Sequence, residues 1–292
     1  TGLISLGSAV RIRPSLPIFM NNISFFCLTL NPNHEKIIKK MSYIPVGLGD
    51  KKFSNECFND KKGENISHKN EFYGEYTFHY WIWKNYLPKI KTEWVGFCQY
   101  RKFFVKKEQI VKGLKFDDLQ NNVLKTIDQS NQNFDCILGN QFSVENFKPS
   151  KIFKHHLLEF LAKPNLFFFK KNRNLKFHFD LFHGKGNLEK AINLLDDENK
   201  KDFKNFMENR TSFNPHNMFV CRTEILKEYY KTIFPWLSKC EDIFGFDNLQ
   251  GYGLKRIYGF LAERFLSFWL NKNYPVKELP ILVKDLSDYR DL

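Results

Sequence analysis

The sequence predicts an α/β fold, with an open sheet and crossover helices in its first half and a largely helical second half. Three observations carry this prediction. Short, apolar, turn-bounded runs at 23–30 (ISFFCLTL), 94–99 (WVGFCQ) and 134–139 (FDCILG) have the length of buried strands. Segments with helical features lie between these runs. From about residue 151 helical spacing dominates, over 151–163, 187–208, 223–239 and 253–272.

Taken in order, residues 1–21 are rich in Gly, Ser and Pro and read as a linker or an appended extension, with Met20 or a nearby position as the natural start. Residues 22–292 then form one domain, divided into a half at 22–150 and a mainly helical half at 151–292. The first strand breaks at Asn31-Pro32. Residues 41–50, with Tyr43, Pro45, Gly47 and Gly49, read as a loop, and 53–70 as a polar surface loop. A single helix is predicted from about Glu71 to Tyr86, closed by Pro88, and another over 117–129. Asn187 is a candidate N-cap for a helix over 187–208. Residues 213–221 read as a turn entering a strand. In open sheets of this kind ligands bind where strands end, which directs attention to 29–31, 99–101 and 139–141.

Composition narrows the function classes. Hydrophobic residues make up 42% of the 292, enough for a sizeable core and against disorder. The net charge of +13 attracts polyanions or acidic lipid surfaces, but it is spread through pairs such as Lys39-Lys40, Lys106-Lys107 and Lys170-Lys171. No RNA-binding signature, zinc finger or dense arginine tract accompanies it, so nucleic acid is not an expected partner. The abundance of Phe, with 32 copies, reads as compositional bias. Six widely spaced cysteines include no C-x-x-C pair, which speaks against a zinc ribbon or redox motif and for buried thiols in a reducing cytoplasm. No run reaches the ~18–20 apolar residues of a membrane span. A cytoplasmic protein, with peripheral association at the inner face of the cell membrane as an option, is the expectation.

Three constellations could carry chemistry. Residues 60–70 (DKKGENISHKN), followed by Tyr73 and Glu75, suit either a ligand-binding loop or the cap of the aromatic helix, with Ser67 as the capping candidate. At a strand end, Gln99-Tyr100-Arg101-Lys102 offers two cations, either to neutralise a diphosphate or to bridge an internal carboxylate. In GLKRIYGFLAERF, helical spacing places Arg256, Gly259 and Glu263 near one face, next to Arg264. There Glu263 is a candidate base or an ion-pair partner. Dinucleotide-binding, P-loop, zincin and nucleophile-elbow motifs are absent. No D-x-D triplet follows an apolar strand, so a divalent metal (Mn or Mg) is possible but has no motif to hold it, and no metal ligand is assigned.

Together, GENISHKNEFYGEYTFHYWIWKN, WVGFCQYRKFF, FNPHNMFVCRTEILKEYY and GFLAERFLSFWL resemble the capsular and exopolysaccharide glycosyltransferases catalogued as a domain of unknown function. The resemblance spans about residues 23–272 and implies a GT-A-like fold, with a Rossmann-type nucleotide-binding half and an acceptor half. It implies a soluble enzyme that moves a sugar from a nucleotide-sugar, a UDP-sugar by preference, to a saccharide or lipid-linked saccharide acceptor in bacterial surface polysaccharide synthesis. Carried over, Thr29, Tyr43, Val46 and Gly47 would border the base. Asp60, Asn65, Ser67 and Asn70 match the polar loop. Gln99, Tyr100, Arg101 and Lys102 stand where other GT-A enzymes hold their acidic triplet. Glu75, Arg101 and Glu263 are the catalytic candidates, and Asn217 and Arg264 fall on the acceptor side. Two departures stand out: Gln99 replaces the family's usual His, and Lys102 its second Arg. The alternative reading is a non-catalytic saccharide- or nucleotide-binding module of a polysaccharide synthase.

Overall fold

The computed structural model describes residues 22–108, 110–128, 133–145 and 173–289. The predicted extension at 1–21 and the predicted helix at 151–163 lie outside the described residues.

In chain order the first half comprises β1 (Ile23–Thr29), α1 (His34–Lys40), β2 (Ile44–Gly47), β3 (Phe58–Asn59), α2 (Asn70–Tyr73), α3 (Tyr76–Trp81), β4 (Trp94–Gln99), β5 (Lys102–Phe104), α4 (Phe116–Asn122), β6 (Cys136–Gly139) and β7 (Phe142–Ser143). The second half comprises α5 (Leu175–His183), α6 (Asn187–Asn193), α7 (Asp197–Asn209), β8 (Ser212–Phe213), β9 (Phe219–Arg222), α8 (Thr223–Phe244), α9 (Gly251–Lys255), α10 (Ile257–Asn273), β10 (Val276–Leu279) and β11 (Ile281–Val283).

The main sheet runs β10-β6-β9-β4-β1-β2-β3, with β5 joined to β4 and β11 to β5. β1 is parallel to both β2 and β4, and β2 to β3. β9 is antiparallel to β4 and to β6. The C-terminal ends of β1, β2, β3, β4 and β6 therefore lie along one edge. β1 and β4 are buried on both faces, which is why both read as continuous apolar runs. Their alternate residues feed two cores. Phe26, Leu28, Val95, Phe97 and Phe219 pack with α3, α8 and α10 on one face, while Ile23, Phe25, Trp94, Cys98 and Val220 pack with α1 and α4 on the other. At the far end of β4, buried Arg222 pairs with Glu93 and Asp135 and lies over the Trp94 ring, 4.7 Å from its centroid. This is the bridging role weighed above for Arg101.

Several predicted elements differ from those observed. The segment 41–50 contains strand β2, because Val46 and Leu48 are buried against β1 despite the surrounding Pro and Gly. The single helix over 71–86 is two short helices and a π-helical turn at Ile82–Tyr86, broken at Gly74 with φ +59° and ψ −132°. Pro88 sits inside a final 3-10 turn, Leu87–Lys89. Ser67 opens a 3-10 turn without a side-chain cap. Helix 117–129 is shorter, as α4, because Val123 turns extended. Helix 187–208 is two helices. Gly186, not Asn187, holds the first N-cap position, and the Asp196 side chain caps the second by accepting from the Asn199 N–H at 2.9 Å. All six cysteines are free and buried, matching the expectation for them.

Candidate active site

The C-terminal edge of β4 opens into a cleft of ≈ 180 Å³ whose lining is unusually charged. Gln99 ends β4, Arg101 lies in the turn, and Lys102 begins β5. From the opposite side α10 contributes Gly259 and Glu263, and Arg256 stands at its N-cap. Glu75 enters between α2 and α3. Two glycines permit this approach. A Cβ at Gly74 would stand 2.2 Å from the Arg256 Nη2, and one at Gly259 would stand 3.3 Å from the Tyr73 carbonyl. The floor is the turn before β9, where His216 (φ +84°) and Asn217 (φ +52°) both occupy the left-handed region. Such strain persists only where neighbours fix it. Here the Glu263 Oε1 accepts from the His216 N–H at 2.5 Å, and Gln99 Nε2 donates to the His216 carbonyl at 3.2 Å.

The two carboxylates differ. Glu263 spends one oxygen on that turn and the other on buried Arg264, which also lies 3.7 Å over the Phe213 ring. Glu75 holds Oε1 between the amides of Asn217, at 3.0 Å, and Gln99, at 3.4 Å. Its Oε2 faces Arg256 at 3.7 Å. The Asn217 amide nitrogen also donates to the Gly259 carbonyl, and its buried Oδ1 has no donor among the described residues.

Lys102 donates to His216 Nδ1 at 2.9 Å. Burial, with help from Arg101, lowers the Lys102 pKa, against the opposing pull of Glu263 and Glu75. Burial and the adjacent Lys102 depress His216 to about 4, so at neutral pH its ring is uncharged and accepts the ammonium hydrogen.

The cleft thus gathers Glu75, Gln99, Arg101, Lys102, Asn217 and Glu263 from segments far apart in sequence. Tyr100 turns away, its ring 5.1 Å from that of buried His34, which in turn hydrogen-bonds Thr29 at 2.8 Å. The polar loop is not part of this lining. Asn65 folds onto its own loop, donating to the carbonyls of Lys61 and Gly63 and accepting from Ser67. Asn70 donates to the Gly74 carbonyl and to Thr77, stabilising the break that presents Glu75. Asp60 is buried at the end of β3, and burial raises its pKa. Tyr43 stacks on Phe25 and donates to the Leu124 carbonyl, on the α1 and α4 face. Val46 is fully buried, and Gly47 lies against the Phe53 ring. Glu241, near the end of α8, is tied to Lys69 at 2.7 Å. His216 was not legible as a site residue. The signal for it was Pro215-His216-Asn217 just before an apolar strand, a turn whose Asn tolerates positive φ.

The divalent metal expected as an option is poorly matched. Gln99-Tyr100-Arg101 supplies no carboxylate pair at the end of β4, and no group of three or more His, Cys, Asp or Glu among the described residues is arranged to hold a metal.

The sheet order, with β9 reversed between β4 and β6 and a polar cleft at the end of β4, defines an α/β protein of GT-A-like type. A solved structure described as "WbbM bifunctional glycosytransferase apo structure" shares this fold at a TM-score of 0.66 and 21% identity, over 90% of this chain. The chain spans 45% of that protein. The model of one family, described as "Domain of unknown function (DUF4422)", matches residues 29–274, and the chain belongs to that family. No curated protein sequence matches it.

Proposed function

We propose that the protein is a glycosyltransferase acting on a nucleotide-sugar, with a UDP-sugar as the first donor to test, and a saccharide acceptor. The observation that carries this reading is the cleft itself: Arg101, Lys102 and Arg256 face two carboxylates at the sheet edge where GT-A-like folds place the donor. In the reaction the acceptor oxygen bonds to the anomeric carbon, the bond from that carbon to the diphosphate oxygen breaks, and the diphosphate keeps the electron pair. The cations stabilise the charge that develops there. Glu75, whose Oε2 has no closer partner among the described residues than Arg256, takes the acceptor proton. Glu263 holds the 216–217 turn in place. The nucleoside extends toward the ends of β1 and β2, near Thr29 and Gly47. Among the described residues no helix is long and apolar enough to cross a membrane. The positive charge favours an acidic membrane surface bearing a lipid-linked acceptor.

The test is hydrolysis of a panel of nucleotide-sugars by wild type and Arg101→Ala. Arg101 is exposed, so its removal leaves the core intact. Turnover in the wild type should fall roughly 100-fold or more in the variant. Absence of turnover across the panel, together with retained nucleotide binding, would favour the non-catalytic module.

A further inference from the structure

A second hollow adjoins the cleft, and its chemistry is opposite. It measures ≈ 480 Å³, within the roughly 300–1,000 Å³ of small-molecule sites. The two share His216, so the hollow continues directly from the catalytic floor. One wall is β11, which pairs antiparallel with β5 so that Val283 stands opposite Lys102. Close contact of that wall with the sheet requires a glycine: a Cβ at Gly139 would stand 2.2 Å from the Ile281 side chain.

Among the described residues the lining contains no Lys or Arg, although the chain carries 45 of them. Its apolar surface includes Val111, Phe142, Pro280 and Val283, and its polar groups are the amides of Asn140 and Gln141, the carboxylate of Glu108 and the ring of His216. Phe142 and Val283 are 51% and 55% exposed, so large apolar surfaces stand open at its mouth. Gln141 is held ready, donating to Glu278 at 2.9 Å and accepting from Ser212 at 2.6 Å. An aromatic ring beside a fixed amide suits the two surfaces of a sugar, its C–H face and its hydroxyl rim. With no cation among its described lining residues, and with Glu108 present, the hollow disfavours a phosphate or uronate.

We propose that this hollow seats the acceptor, as an uncharged oligosaccharide whose reacting end reaches past His216 to Glu75. The inference rests on the glycosyltransferase reading above and adds the place and charge class of the acceptor.

The test uses the full chain on a glycan array of neutral and of uronate- or sialate-bearing oligosaccharides, probed with UDP present. Wild type should retain neutral glycans. Phe142→Ala should weaken that retention at least tenfold while hydrolysing the donor with water at the wild-type rate. Val283→Lys, on the facing wall and equally exposed, should behave alike and guards against a folding defect in one variant. Preference for acidic glycans, no retention of any glycan, or equal retention by both variants overturns the proposal. Loss of donor hydrolysis in wild type would instead overturn the underlying reading, so the two failures are distinguishable.

Discussion

Glu75 and Glu263 look interchangeable as letters in a sequence, yet their surroundings assign them different work. Glu263 has both oxygens engaged, by the His216 N–H and by Arg264. Glu263→Gln should therefore loosen a strained turn and leave a buried guanidinium unpaired, lowering the melting temperature as well as the rate; breaking such a pair costs about 3–5 kcal/mol. Glu75→Gln keeps the amide contacts within reach and removes the proposed proton acceptor. It should lower turnover by roughly 100-fold or more at nearly unchanged melting temperature. Equal thermal losses in the two variants, measured by calorimetry, would contradict this division. Arg101 and Glu263 stood out in the sequence as cleft candidates because charged residues lay at a strand end or on one helical face, whereas Glu75 followed from the polar stretch after residue 60 and the family resemblance. The contribution of His216 was not, because it depends on backbone strain fixed by residues 47 and 117 positions away.

At the scale of elements, the apolar runs gave β1, β4 and β6, and the turn at 213–221 gave β9, but β2 was missed because Pro and Gly surround it. β2 carries Pro45 within it and is a strand because it lies beside β1. The aromatic stretch after residue 70 has helical character throughout, but Gly74 adopts a conformation open to glycine alone, and the break delivers Glu75 to the cleft. Gly74→Ala should cost both stability and activity, since the new methyl meets Arg256 and the backbone must leave its region. A variant with wild-type activity would show that the break is incidental. Asp196→Ala tests a purely structural element: loss of the α7 cap should cost ~1 kcal/mol in urea unfolding and leave turnover unchanged.

For the molecule as a whole, acid should be the weak point. Burial depresses His79, His178 and His183 to about 3, and His216 to about 4, from 6.5. The unfolded chain therefore takes up protons below about pH 6.5 that the folded chain refuses. The stability contributed by this difference is complete above about pH 6.5 and falls as pH drops toward 4, by ~1.4 kcal/mol per pH unit for each histidine. Urea midpoints measured from pH 7 to pH 5 should decline steeply, and a flat series would show that these rings protonate while folded.

The reversed strand β9 also has a consequence for synthesis. It is the common neighbour of β4 and β6, yet it is translated long after both. At ~5–20 residues per second, a ribosome leaves β6 waiting for roughly 4–17 seconds and β4 for roughly 6–25 seconds before their partner emerges. During that interval two apolar edges are unpaired on the nascent chain, so its yield in a cell should depend on the supply of chaperones that bind such edges.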